Sequence, residues 1–194
     1  MGRRILVIDG HPDPEPGRLV HALAQAYAEA ALAAGHEVRR VDIATLDMPV
    51  LRTQHDYRAE PAPPAAERVQ QDIAWAEHVV LLFPLWLGGV PALLKAVLEQ
   101  VLRPGFAADS QGGRMPVKRL KGRSVRIVVT MGMPALAYRW WFGAHGLRSL
   151  KREILALVGF GPIRDTLFGR VEAVPDATRR GWMEAVAALG RQAG

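Results

Sequence analysis

Residues 79–101 read VVLLFPLWLGGVPALLKAVLEQV, and this stretch decides the fold. Val79 to Phe83 is an apolar run with the length and composition of a buried strand. Pro84 to Val90 is a turn. A helix is predicted to follow with Pro91 in its first position, where proline's fixed φ suits a helix and its missing N–H is not needed. In an open parallel sheet, ligands bind in the crevice beyond the carboxyl ends of the strands. Gly88 and Gly89 would let backbone approach a flat ligand closely. Pro84, Leu85, Trp86 and Leu87 would then offer apolar contact and backbone polar groups to a planar ring. The same residues equally describe an ordinary strand-to-helix turn in which Trp86 packs against a neighbour.

On either side of this stretch the chain alternates strand and helix. Residues 4–9 lack polar alternation, as a strand covered on both faces does. Residues 18–34 carry Leu19, Ala22, Leu23, Ala26, Tyr27 and Ala30 at helical spacing and stop at Gly35, which suits a left-handed helix terminus. Residues 37–42 are a second strand. From 43 to 64 the prolines at 49, 61, 63 and 64 leave no apolar period, and so long a loop in a compact domain is usually functional or mobile. A helix over 65–76, with Val69, Ile73 and Ala76 on one stripe, feeds the central strand. A second irregular segment spans 103–121, and 123–130 is a strand rich in β-branched residues. Met131 to Pro134 is a turn. An aromatic cluster and a helix occupy 138–158, a short strand lies within 163–168, and Asp176 is expected to cap a last helix reaching about Ala193.

Five strands alternating with five helices predict one α/β domain over residues 1–194, a three-layer sandwich around a five-stranded parallel sheet. Five strands favour the order 2-1-3-4-5, in which the turns after strands 1 and 3 flank the switch point. Those turns are 10–19 and 84–90, and Met131 to Pro134 opens on the same edge. Chemistry is expected where the three meet.

Composition narrows that chemistry. The 194 residues include no cysteine, so disulfides, thiol catalysis and cysteine-based metal sites are excluded, and no metal site is expected. The run Ile5 to Ile8 is too short for a signal-peptide core, and no segment has the roughly 20 apolar residues of a membrane span, so a cytoplasmic protein without stable membrane insertion is expected. The net charge of +6 is spread along the chain without interleaved aromatics, the pattern of neither a nucleic-acid groove nor a basic tail. No Walker A loop and no GxGxxG fingerprint occurs, which disfavours nucleoside triphosphatases and dinucleotide dehydrogenases of the Rossmann type. The first turn, Gly10-His11-Pro12-Asp13-Pro14-Glu15-Pro16-Gly17-Arg18, precedes a helix whose free N–H groups can seat a phosphate, with Arg18 and His11 adding charge-assisted bonds. Asp13 and Glu15 oppose a phosphate unless they point away. His11 is as readily a ring held by backbone with no ligand.

Taken together, Ile5 to His11 with its Pro-rich turn, Phe83-Pro84-Leu85-Trp86, Gly89-Val90-Pro91-Ala92-Leu93-Leu94-Lys95, Thr130-Met131-Gly132-Met133, Tyr138 and Gly143-Ala144-His145-Gly146 resemble the flavodoxin-like NAD(P)H:quinone reductases. These are the relatives of DT-diaphorase, of the modulator-of-drug-activity reductases and of the ancillary subunits of potassium-efflux systems. The likeness covers nearly the whole chain in the same order. It implies a homodimeric flavoprotein that binds FMN or FAD without a covalent bond, takes two electrons from NAD(P)H as hydride through flavin N5, and passes them to quinones or similar electrophiles in ping-pong order. It also implies roles residue by residue. His11, Gly17 and Arg18 would lie along the phosphate and ribityl chain. Pro84, Leu85, Trp86, Leu87 and Gly88 would border the isoalloxazine, and Thr130, Met131, Gly132 and Met133 would meet its pyrimidine edge. Tyr138 and His145 would be catalytic, donating to the N1–C2=O side where negative charge develops.

The pattern departs from the family at two places. Pro16, Gly17 and Arg18 stand where Ser, Phe and Asn are usual, and Thr130-Met131-Gly132-Met133 replaces Thr-Thr-Gly-Gly, so side-chain donors are lost in both turns. The run Arg139-Trp140-Trp141-Phe142 is read as a stacking surface for nicotinamide or quinone, or as a seal at a subunit interface. Arg114, Lys118 and Arg119 are either a guide for an anionic NADPH phosphate or a solvated basic loop. Two other classes fit the same residues: a regulatory flavoprotein subunit of a cation-efflux system, and a flavodoxin-like electron carrier.

Overall fold

The computed structural model of the protein describes residues 2–58, 61–109 and 117–194. Its main sheet is built from five parallel strands, β1 (Arg4–Asp9), β2 (Glu37–Asp42), β3 (His78–Pro84), β4 (Ser124–Met131) and β5 (Ile163–Gly169). Their spatial order is β2-β1-β3-β4-β5, the order predicted from the sequence. The central strands are buried on both faces, which is why they read as unbroken apolar runs. Val7, Leu82 and Val128 pack under helices α1 (Leu19–Ala33) and α5 (Asp176–Gln192). Ile8, Leu81 and Ile127 pack on the opposite side, under α2 (Pro64–Trp75) and α3 (Ala92–Val101). Each such side chain taken out of water contributes about 2 kcal/mol. Three layers follow.

The buried face of α1 differs from the predicted one. Val20, Leu23, Ala24, Tyr27, Ala28, Ala30 and Ala31 are buried, and Leu19, Ala22 and Ala26 are not. Alanine covers both sides of this helix, so the pattern of small residues does not choose a face. The bulk of Leu23 and Tyr27 does, with His21, Gln25 and Glu29 left on the other side.

Two helix starts also shift. Pro91 and Pro175 sit just outside α3 and α5 as N-cap residues with extended ψ of 147° and 156°. Each still accepts a helical bond through its carbonyl, Pro91 from Lys95 N–H at 2.9 Å and Pro175 from Arg179 N–H at 3.3 Å. Asp176 is therefore not the cap. It stands in the first turn, where its charge complements the helix dipole, and accepts from Arg179 Nη1 at 2.7 Å.

The long loops hold more structure than periodicity showed. Ile43–Thr45 is a 3-10 turn and Gln54–Arg58 a short helix. Ala108–Asp109 pairs antiparallel with Val117–Lys118. The aromatic run forms a π turn, Ala137–Trp141. It leads into α4 over 145–158, whose α-helical ends, His145–Ser149 and Ala156–Val158, bracket a wider π segment, Leu150–Leu155. Among the described residues no helix is long and apolar enough to cross a membrane.

Candidate functional site

The three turns predicted to carry chemistry meet at one cleft of about 750 Å³ beyond the carboxyl ends of β1, β3 and β4. His11, Gly17 and Arg18 line it from the first turn, Pro84, Leu85 and Trp86 from the second, and Thr130, Met131 and Gly132 from the third. Backbone bonds tie the rim together: Gly10 N–H donates to Leu82 O at 2.7 Å and Leu85 N–H to Thr130 O at 2.8 Å. The rings of His11 and Trp86 meet edge to face with centroids 6.2 Å apart. Leu87, Gly88 and Met133 do not line the cleft. Two cavities of about 580 and 600 Å³ open elsewhere, beside Tyr57 and Pro49.

The first turn ends on a helix start that, among the described residues, no side chain caps; the Arg18 and His21 N–H groups donate to Glu15 O at 3.2 Å and Arg18 O at 3.1 Å, which leaves those of Leu19 and Val20 for another partner. Arg18 is the N-cap residue, and its guanidinium is gripped by Asp13, from Nε at 2.8 Å and Nη2 at 2.5 Å. The repulsion that Asp13 would offer an anion is thereby offset. The Glu15 N–H and the Arg18 guanidinium hold the Asp13 carboxyl below the usual carboxylate range. His11 is buried, and its Nδ1 stands 3.1 Å from the Asp13 N–H and 3.2 Å from the Asp13 carbonyl oxygen, accepting from the first or donating to the second according to its tautomer. Burial, and then the charge on neighbouring His21, push the His11 pKa down.

The second turn is tight. Trp86 and Gly89 exchange both backbone bonds, at 3.1 and 3.0 Å, and the two residues between them, Leu87 and Gly88, have φ of 47° and 80°. Positive φ at both central positions suits an Asn-Gly pair, whereas leucine has no such tolerance. Leu87 is fully exposed and gains no burial in return. Leu87→Asn is accordingly expected to raise stability by roughly 1 kcal/mol, read as a higher urea midpoint at unchanged slope; an unchanged or lower midpoint would show that the turn stores no strain.

Tyr138 and His145 lie behind this turn and not on the cleft wall. The Tyr138 hydroxyl is buried; it donates to Gly88 O at 3.1 Å and accepts from Leu147 N–H at 3.2 Å, so its proton is already committed to backbone. Gly146 makes the closest approach: a Cβ there would stand 2.1 Å from Gly88 O. His145 is exposed beside Gly143, where an added Cβ would stand 2.8 Å from His145 Nε2.

Several residues of the site were not found by sequence reasoning. Glu172 and Arg179 line the far wall of the cleft. Arg179 is held there by Val171 O at 3.0 Å and Asp176 at 2.7 Å, on a helix whose approach to the rim has no local signature. Asp9, buried, and His21, partly buried, form a pair under the first turn, 2.6 Å apart. Here a signal existed: a carboxylate at the end of an otherwise apolar strand needs a partner. In the basic segment, Arg114 lies outside the described residues. Lys118 donates to Ala156 O at 2.8 Å and Arg119 to Gly105 O at 2.6 Å, so both are engaged with backbone.

The profile of the flavodoxin-like fold family matches residues 3–193. Among relatives, an uncharacterized NAD(P)H oxidoreductase of Haemophilus influenzae is 30% identical over 125 residues, 62% of this chain and 61% of the relative. An FMN-dependent NADH:quinone oxidoreductase of Ruegeria pomeroyi is 28% identical over 109 residues, 48% of this chain and 52% of the relative. In both cases the chain spans less than two thirds of the relative's own length. The crystal structure of an NAD(P)H:quinone oxidoreductase from Methanothermobacter marburgensis superposes with a TM-score of 0.81 at 19% identity, covering 98% of each chain, which is a likeness of fold.

Proposed function

The chain belongs to the flavodoxin-like fold family, and from that premise we propose that it is an FMN-dependent NAD(P)H oxidoreductase that passes two electrons to quinone-like acceptors. One observation carries the reading. The cleft joins an uncapped helix start and a cation, Arg18, at one end to an aromatic side chain, Trp86, and open backbone at the other. That is the polarity of a flavin mononucleotide, with a phosphate at one end and a flat ring at the other.

The residues fit the group on steric grounds as well. A Cβ built on Gly17 or Gly132 would meet no atom within 4 Å, so both glycines leave the cleft floor open, and about 750 Å³ lies within the range of cofactor sites. When bound, a flavin would supply a ring that accepts and returns two electrons with a proton at N5. The Leu19 and Val20 N–H groups and the Arg18 side chain would hold its phosphate, in place of the side-chain donors the family commonly uses. Pro84, Leu85 and Trp86 would cover the ring edge, with Thr130, Met131 and Gly132 opposite. Leu87, Gly88 and Met133 would act from outside the cleft, through the shape of their turns. Tyr138 is a positioning residue in this reading, fixing Gly88, and His145 stands exposed behind the same turn. A single cleft serving donor and acceptor in turn gives ping-pong order.

The names of the two relatives, an NAD(P)H oxidoreductase and an FMN-dependent NADH:quinone oxidoreductase, support the same reading. Trp140, Trp141 and Phe142 are 79%, 86% and 55% exposed beside this region. So much aromatic surface is unusual on a monomer, and we assign it to the interface of a homodimer.

The test is titration of the purified chain with FMN and with FAD, followed by NAD(P)H oxidation with a simple quinone. Expected are a flavin spectrum, preference for FMN, turnover by the chain alone, and roughly tenfold weaker FMN binding in Arg18→Ala from loss of a charge-assisted bond. A preparation that refuses both flavins would end the proposal, and flavin binding without turnover would favour the regulatory reading.

A further inference from the structure

His21 shapes the first turn without lining the cleft. It sits in the opening turns of α1, on the wall of a smaller cavity of about 410 Å³ that it shares with Asp9, Gln25, Arg40 and Asp42. Its Nδ1 is 2.6 Å from Asp9 Oδ2, and its Nε2 is 2.9 Å from the carbonyl oxygen of Asp13. A carboxylate and a carbonyl only accept. Both contacts are hydrogen bonds only if both ring nitrogens carry hydrogen, and a neutral imidazole can supply one.

The remaining bonds of the turn radiate from this ring. Asp9 is 2% exposed, and its second oxygen accepts the His11 N–H at 3.2 Å. Asp13, held through its carbonyl by His21, donates its own N–H to His11 Nδ1 at 3.1 Å and grips Arg18 Nε at 2.8 Å with its carboxylate. His11 and Arg18, which line the cleft together with Asp13, are thus both placed by groups that His21 or Asp9 holds.

We propose that His21 is a positioning residue: an imidazolium clamped between the Asp9 carboxylate and the Asp13 carbonyl sets the turn that offers His11 and Arg18 to a phosphate, so that phosphate binding is coupled to the proton on His21. The inference deepens the flavin reading above and rests on it. The charges facing the ring are Asp9 from β1, Asp42 and Arg40 from β2, and the His11 ring, whose centroid is 5.3 Å away; Asp13 faces it through its neutral carbonyl, and Gln25, on its own helix, is neutral. Burial disfavours the cation, but Asp9 and Asp13, with Asp42 behind them, outweigh it and hold the His21 pKa above the ordinary histidine value. The clamp is therefore intact below that ordinary value and opens as pH rises through the raised one.

Two measurements test this. In ligand-free, ¹⁵N-labelled protein at the ordinary histidine pKa of ~6.5, the His21 ring is expected to be more than half protonated on both nitrogens; a ring at least half neutral under those conditions overturns the clamp. FMN and riboflavin, which lacks the phosphate, are then titrated into wild type and His21→Gln across pH. Expected is roughly tenfold weaker FMN binding in the variant with riboflavin binding nearly unchanged. Wild-type FMN affinity should also fall toward alkaline pH, with a flatter profile in the variant. The FMN phosphate itself titrates near pH ~6, and the comparison between the two proteins cancels it. Equal FMN affinity in both proteins, or equal loss for both flavins, overturns the coupling. Wild-type protein that takes neither flavin overturns the flavin reading instead, and the ring-nitrogen measurement still decides the clamp.

Discussion

Gly146→Ala is expected to destabilise the protein by about 3 kcal/mol, an overpacking cost near the top of its usual range. The added Cβ would stand 2.1 Å from Gly88 O and 2.8 Å from Gly89 Cα, both backbone atoms that no rotamer change can move aside. Either the start of α4 or the Trp86–Gly89 turn must retreat. If the turn moves, the buried Tyr138 hydroxyl loses the Gly88 carbonyl it donates to at 3.1 Å, which adds to the cost. Gly89→Ala is the control. Its Cβ would meet nothing within 4 Å and its φ is not positive, so the change should stay within about 0.5 kcal/mol. Urea unfolding of both variants decides it: similar midpoints for the two would mean that the contact between α4 and the turn is soft. Because this turn forms one wall of the cleft, FMN affinity should fall with stability in Gly146→Ala alone.

The second large effect is acid sensitivity centred on His78. This histidine begins β3 and is buried, with Nδ1 2.7 Å from Ser124 Oγ and its ring stacked on Tyr27 at 6.5 Å. Nε2 has no hydrogen-bond partner among the described residues. Burial first, and then the charges of Arg3 and Arg126, push its pKa down to about 4. In the unfolded chain the same ring titrates near ~6.5. Between those values the unfolded state binds the extra proton, so stability rises with pH across the window and falls as pH drops through it. The loss comes to about 3 kcal/mol once both states are protonated. His78→Gln should remove most of this acid limb, read as urea midpoints that fall much less than in wild type from about pH 6.5 to 4, the remainder belonging to His11, whose pKa is also lowered. A limb that survives the substitution undiminished would place the acid-sensitive group elsewhere. His21 works with the opposite sign, its contribution being present in acid and lost toward alkaline pH.

How far the site was legible follows from the range of the interactions that build it. The residues of the three turns could be named because each follows a strand that the chain announces by itself: Ile5 to Ile8, Val79 to Phe83, Val125 to Val129. Once strand order is known, the ends of β1, β3 and β4 must be neighbours. Nine of the twelve cofactor residues expected from turns and resemblance line one cleft for that reason. Leu87 and Gly88 do not, because the backbone pairing of Trp86 with Gly89 turns them outward. The expected role of Tyr138 depended on where its hydroxyl points, and the carbonyl of a residue 50 positions away, Gly88, accepts its hydrogen bond. Spacing along the chain carries no trace of that.

The sequence by itself determined the alternation of elements, the parallel sheet and its order, since these follow from apolar runs, helical periods and turn residues read a few positions at a time. Only the tertiary structure decided which face of alanine-rich α1 is buried, that Arg179 reaches the cleft, and that Asp9, His21 and Asp13 lock together. The physical reason is reach. Burial period and turn chemistry act between near neighbours and leave a mark in the string of residues. Hydrogen bonds and charges act across about 3 Å of space, between groups whose meeting is settled after the layers have packed.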